Sequence, residues 1–194
     1  MYRIFLTIGL VLTALLPVAA RAQELPLGSA LPLAGQAFAA ADGSSKALSA
    51  YAGPAGTVLV FWSNRCPWVD RYEARVTDLA ARYGERYGFV LVGSAAADAN
   101  AARAQTQGYR MPYVTDAGGA LAAALGAQRT PQVFVFDAAG ALAYTGTVDD
   151  SPSDPAAASK PYLRDALDAI AAGRPAPTTR TEALGCLIRT AAAQ

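Results

Sequence analysis

The chain has 194 residues, with 16 Lys and Arg against 15 Asp and Glu, for a formal net charge of +1. Such a balance supplies neither the basic stripe that nucleic acid requires nor an acidic tail, so no nucleic-acid partner is expected. With no histidine and only two cysteines, the sequence also excludes Ser-His-Asp and Cys-His hydrolases, histidine-ligated metals and a structural zinc site built from sulfur.

At the N-terminus, Arg3 precedes an apolar stretch from Ile4 to about Ala20, and Ala20-Arg21-Ala22 has the small-x-small form of a signal-peptidase site. Residues 1–22 are therefore expected to be a cleaved secretory signal. The alternative, a retained anchor, is opposed by Thr7, Gly9 and Thr13, which interrupt the ~20 clean apolar residues of a spanning helix. No cysteine follows the stretch to carry a lipid. A periplasmic or secreted protein without a stable membrane anchor is expected, in a compartment where two cysteines default to disulfide chemistry. The remainder suits one compact domain, 23–173, followed by an irregular tail, 174–194, that carries the second cysteine.

Leu25 to about Ala55 is rich in Ala, Gly, Pro and Ser, an extended lead-in with a short hairpin at Asp42-Gly43. Thr57 to Trp62 is a continuous β-rich apolar run, as for a central strand buried on both faces. After it the period changes. Val69, Tyr72, Val76, Leu79, Ala80 and Tyr83 share one helical face, and the helix ends near Gly84. Phe89 to Gly93 is a second buried strand, and strand-helix-strand at this spacing predicts a parallel pair with a right-handed crossover. A second helix is predicted over Ala95 to Gly108, a short extended piece at Tyr113-Val114-Thr115, and a short helix from Ala120 to Leu125 closed by Gly126. Gln132–Phe136 and Leu142–Val148, joined by Asp137-Ala138-Ala139-Gly140, predict an antiparallel hairpin. Asp149 to Pro161 is loop by composition. A last amphipathic helix carries Tyr162, Leu163, Ala166, Leu167 and Ile170 and ends at Gly173. The sum is an α/β domain, a mixed central sheet with helices on both faces.

Cys66 is the residue with most chemistry in its position. It lies between the first buried strand and the first helix, followed at once by Pro67, whose fixed φ and missing N–H suit the first helical position. Cys66 is then the N-cap, where unpaired N–H groups and the aligned peptide dipoles favour a thiolate.

That element order, with Phe61-Trp62-Ser63-Asn64-Arg65-Cys66-Pro67-Trp68, Thr130-Pro131-Gln132-Val133-Phe134-Val135-Phe136-Asp137, Val148-Asp149-Asp150 and the late Gly185-Cys186, resembles the thioredoxin-like superfamily. Within it the similarity is to secreted redoxin-domain proteins related to alkyl hydroperoxide reductase and thiol-specific antioxidant proteins. The resemblance implies a thioredoxin-like three-layer sandwich over roughly Leu25 to Arg189. Three departures bear on function. Val69 stands where thioredoxins carry their second cysteine, Val60 where they keep a buried acid, and Leu59 where peroxiredoxins have the proline of their Pro-x-x-x-Thr-x-x-Cys pattern, of which Ser63 retains the hydroxyl.

By the same resemblance, Cys66 is a nucleophile toward disulfides or peroxides. Pro131 is a cis proline lining the thiol, and Thr130 offers its backbone to a peptide substrate. Cys186 is a resolving thiol if it reaches Cys66; a static clasp, intermolecular pairing and two free thiols remain the alternatives. Trp68 is either an aromatic rim for substrate or packing, Arg65 either a thiolate-stabilising charge or a surface one, and Trp62 is core. Asp149, Asp150 and Asp154 read as a solvated turn rather than a calcium loop, so neither metal nor cofactor is expected. Three functions follow in order of preference. The first is a periplasmic thiol-disulfide oxidoreductase exchanging with protein or small-molecule disulfides and an external thiol reductant. The second is a thiol peroxidase acting on peroxides, and the third a non-catalytic binding module held by a structural disulfide.

Overall fold

The computed structural model describes residues 23–94 and 108–188. The expected signal at 1–22 and, apart from Gly108, the helix expected from Ala95 onward lie outside the described residues. A five-stranded mixed sheet forms the centre, built from β3 (Gly56–Trp62), β4 (Tyr87–Ser94), β5 (Tyr113–Asp116), β7 (Gln132–Asp137) and β8 (Leu142–Gly146), in the order β5-β4-β3-β7-β8. The pairs β3/β4 and β4/β5 are parallel, and β3/β7 and β7/β8 antiparallel. Ahead of the sheet, β1 (Ala37–Ala39) and β2 (Ser45–Ala47) form the hairpin expected around Asp42-Gly43.

Strand alternation divides the apolar residues between two layers. Val58, Val60, Trp62, Val133 and Val135 face α1 (Pro67–Tyr83) and α3 (Tyr162–Ala171), meeting Val69, Tyr72, Val76, Leu163 and Leu167. Leu59, Phe61, Val90, Val92, Phe134 and Phe136 face the other way, against Leu121 and Leu125 of α2 (Ala120–Leu125). All seven residues of β3 are buried, so the continuous apolar run is explained by two covered faces. Each large side chain so buried contributes about 1.5–3 kcal/mol relative to exposure. Helix α2 closes as its sequence predicts, with Gly126 at φ +67° and its N–H on the Ala122 and Ala123 carbonyls. At its start, Asp116 accepts hydrogen bonds from the amides of Leu121 and Ala122.

The second arm of the hairpin ends at Gly146, two residues short of the predicted Val148. The cause is the tail. Thr145 exchanges backbone hydrogen bonds with Thr179 and Thr181, the Thr181 hydroxyl accepts the Thr147 N–H at 2.9 Å, and a Cβ at Gly146 would collide with Thr181. Beyond Gly146 the Thr147 N–H is held by the Thr181 side chain instead of a neighbouring strand.

The loop after β8 is fixed to α1 by Arg75. Its guanidinium pairs with Asp149 at 2.5 Å, donates to the carbonyls of Ser151, Pro152 and Arg71, and stacks 4.2 Å from the Tyr72 ring. Asp150 instead accepts from Ser159 and the Lys160 amide. Arg75 and Asp149 are largely buried, so removing one partner strands a charge. Arg75→Met is expected to cost about 3 kcal/mol, and Arg75→Met with Asp149→Asn less than Arg75→Met alone. Urea unfolding of both variants checks this; a loss below about 1 kcal/mol in the single variant would mean the pair does not anchor the loop.

Candidate redox site

Cys66 is the N-cap of α1 and Pro67 its first residue. The Cys66 N–H donates to the Ser63 carbonyl at 2.9 Å, and its own carbonyl accepts from the Val69 amide at 2.9 Å, opening the helix. The sulfur thus stands at the positive end of a 17-residue helix. Behind it, Trp62 is fully buried and its indole N–H donates to Asn64 Oδ1 at 3.0 Å and to the Tyr109 hydroxyl at 3.3 Å, while Tyr109 also donates to Asn64. The Trp62 and Tyr109 rings meet edge to face. These three residues hold the turn that aims Cys66. Asn64→Ala is expected to cost about 1–3 kcal/mol, because buried donors lose an acceptor; a change within error in thermal unfolding would exclude this role.

Cys66 is bonded to Cys186, 120 residues away, with Cα atoms 6.0 Å apart. Of the alternatives the sequence left open, the structure thus contains the intramolecular pair. Two short strands bring it about. In β6 (Arg129–Thr130) and β9 (Cys186–Leu187), paired antiparallel, Cys186 lies opposite Thr130 and Leu187 opposite Arg129. The Ile188 N–H extends the pairing to the Gln128 carbonyl at 2.9 Å. From the opposite side the buried Gln132 side chain accepts the amides of Gln128 and Arg129, fixing the segment that leads into Pro131. The Thr130–Pro131 bond is cis, as the resemblance implies.

The Cys66 sulfur lies 3.1 Å from the Thr130 carbonyl oxygen. In the disulfide this is a contact; with the bond open, a thiol can donate there. The helix end, for its part, favours a thiolate at this position. Thr130 is itself buried, and its hydroxyl has no hydrogen-bond partner among the described residues. Cys66 is 1% exposed and Cys186 half-buried. An incoming thiol therefore meets Cys186 first, and attack there expels the Cys66 thiolate, the better-stabilised leaving group.

The remaining expected site residues divide. Trp68 is half-buried against the core, with the Arg71 guanidinium 4.9 Å above its ring, which fits packing better than an open rim. Arg65 is exposed, with its backbone N–H on the Ser63 hydroxyl. Val69, in the place of a second thiol, is buried in the core. A surface cavity of about 800 Å³ lies between Leu27, Arg86, Asp137, Ile170 and Arg174 and includes neither sulfur. Sequence reasoning did not find the β6/β9 pairing. Its one trace is the short Cys186-Leu187-Ile188 run behind Gly185 in an otherwise small and polar tail.

Residues 26–160 match the family model for Redoxin. The chain belongs to the Redoxin family. This redoxin is similar to a hypothetical protein from Sinorhizobium meliloti 1021, at 30% identity over 87% of this chain and 96% of that one, TM-score 0.75. It is equally similar to an uncharacterized conserved protein from Geobacillus kaustophilus, at 31% identity over 84% and 92%, TM-score 0.74. Peroxidoxin BcpB from Mycobacterium tuberculosis, at 20% identity over 76% and 96% with TM-score 0.58, shares the fold. No curated protein sequence matches the chain. The redoxin domain and the Cys66–Cys186 bond together place the protein, in general terms, among thiol oxidoreductases and thiol peroxidases.

Proposed function

We propose that this redoxin is a thiol-disulfide oxidoreductase of the periplasm or the secreted space, with Cys66 as nucleophile and Cys186 as resolving thiol. The observation that carries the reading is the sulfur pair itself: a helix-capping cysteine against the Thr130 carbonyl, bonded to a cysteine on a tail with little regular structure. An external thiol attacks Cys186, and a second equivalent completes the reduction, giving two protein thiols and one oxidised reductant. The Cys66 thiolate then attacks a substrate disulfide, forming a mixed disulfide and releasing one substrate thiolate, which takes up a proton. Attack by Cys186 on the Cys66 sulfur restores the intramolecular bond and releases the second substrate thiol.

The test is turnover of insulin disulfides with dithiothreitol as reductant, run beside hydroperoxide consumption. The proposal expects insulin reduction in excess of the uncatalysed rate. Rapid hydroperoxide consumption without insulin reduction would instead assign a peroxidase, in which Cys66 passes through a sulfenic acid. Neither activity would leave a binding module.

A further inference from the structure

At the Arg129–Thr130 edge, where the resemblance already places a peptide substrate, we infer a selection for glycine immediately before the substrate cysteine, with the protein's own tail occupying the edge as an internal substrate. The inference rests on the oxidoreductase reading of Cys66 and specifies which disulfides that residue meets.

The tail shows what the edge accepts. It lies antiparallel with Cys186 opposite Thr130, so its sulfur is delivered to Cys66 by backbone pairing. The residue before that cysteine is Gly185, at φ +157°, and a Cβ there would run into the Thr130 carbonyl and approach the Pro131 nitrogen. Those atoms are backbone and cannot swing aside. The Gly185 carbonyl accepts a hydrogen bond from the Arg129 guanidinium at 3.1 Å, a second hold on the same residue. On the other side of the cysteine, Leu187 is 67% exposed. The edge thus discriminates sharply before the cysteine and hardly at all after it.

The tail also competes. A docked substrate strand and the tail need the same backbone groups of β6, so Cys186 returns to Cys66 only by displacing the bound peptide. Bond by bond, the Cys186 thiolate forms the Cys66–Cys186 bond, the Cys66–substrate bond breaks, and the substrate sulfur leaves as a thiolate. Strand exchange and resolution are then one event, and product is expelled as it forms.

The experiment uses the reduced Cys186→Ser protein and short peptides centred on Gly-Cys-Leu, Ala-Cys-Leu and Val-Cys-Leu, each with thionitrobenzoate on its cysteine. Release of thionitrobenzoate gives the rate, and mass spectrometry verifies the peptide on Cys66. The glycine peptide is expected to react at least about tenfold faster than the alanine peptide, since overpacking against fixed backbone costs a tenfold or more in docking. In a second arm, Gly185→Ala added to Cys186→Ser weakens the competing tail and is expected to speed the glycine peptide several-fold. Cysteine carrying thionitrobenzoate without a peptide reports Cys66 reactivity alone, and reduced wild-type protein gives the same ranking independently of the Cys186 change. Equal rates for the glycine and alanine peptides with Cys66 still reactive would overturn the glycine selection and leave the oxidoreductase reading standing. An unchanged rate on adding Gly185→Ala would overturn self-occupancy, and a Cys66 inert even to the small disulfide would overturn both readings.

Discussion

Cys66→Ser is expected to lower insulin reduction by at least about a thousandfold, to the level of the free reductant. The effect is chemical rather than structural. Cys66 makes no side-chain capping bond and serine is among the preferred capping residues, so the helix start is preserved. What disappears is the nucleophile, because an alcohol does not ionise near neutral pH and does not attack a disulfide sulfur. Thermal unfolding of reduced wild type and of the reduced variant should agree within a few degrees, while turnover differs by orders of magnitude. Retained turnover in Cys66→Ser would show that the measured activity belongs to Cys186 or to the reductant.

Cys186→Ser carries the second large effect, and it is on stability as well as on turnover. The Cys66–Cys186 bond spans 120 residues, and closing so wide a loop in the unfolded chain corresponds to about 4–5 kcal/mol in the chain-entropy account. Set against a typical total of 5–15 kcal/mol, that is a third or more of the fold's stability. For a domain of this size it equals roughly 10 °C or more in melting temperature, at about 2–4 °C per kcal/mol. Oxidised wild type should therefore unfold at distinctly higher urea than either its reduced form or Cys186→Ser, and those two should nearly coincide. Wild type that is equally stable with and without reductant would contradict this expectation and mean that the bond does not constrain the unfolded chain as its loop length predicts. In turnover, Cys186→Ser should stop at a mixed disulfide on Cys66, slowly released by external thiol, and mass spectrometry would detect it.

These two effects pull on the same bond in opposite directions. Loop closure favours the disulfide and lowers its reduction potential, whereas the helix end stabilises the released Cys66 thiolate and raises it. A bond held by loop closure alone would be a clasp. One offset by a stabilised leaving group is poised to open, and the burial of Cys66 beside the more accessible Cys186 gives it a direction of opening.

Local periodicity carried most of the fold. The apolar run of β3, the helical face through Val69, Tyr72, Val76 and Tyr83, and the Gly126 stop of α2 are each written in neighbouring residues, and the structure follows them. The Cys66-Pro67 step was legible for the same reason, since N-cap and first-turn preferences act over a few residues. The tail was not. Much of its docking is long-range backbone pairing by Thr179, Thr181 and Cys186, and backbone hydrogen bonds leave no side-chain period to read. Gly146 and Gly185 were the visible marks of those crossings, each bare of a Cβ because another chain segment passes within contact. A glycine explains itself only once the neighbour it makes room for is known. Trp68 illustrates the converse: its place next to Cys66 and Pro67 left rim and packing equally open, and only the fold shows it against the core under Arg71.

The central claim is that the Cys66–Cys186 bond cycles. The most direct measurement equilibrates the folded protein in buffers of graded dithiothreitol or glutathione potential and maps both thiols by alkylation and mass spectrometry. A cycling pair gives one two-electron transition in which both thiols appear together, in native buffer, at a potential above about −300 mV. A bond that stays closed at every potential until denaturant is added would contradict the claim and make it a structural clasp on the tail.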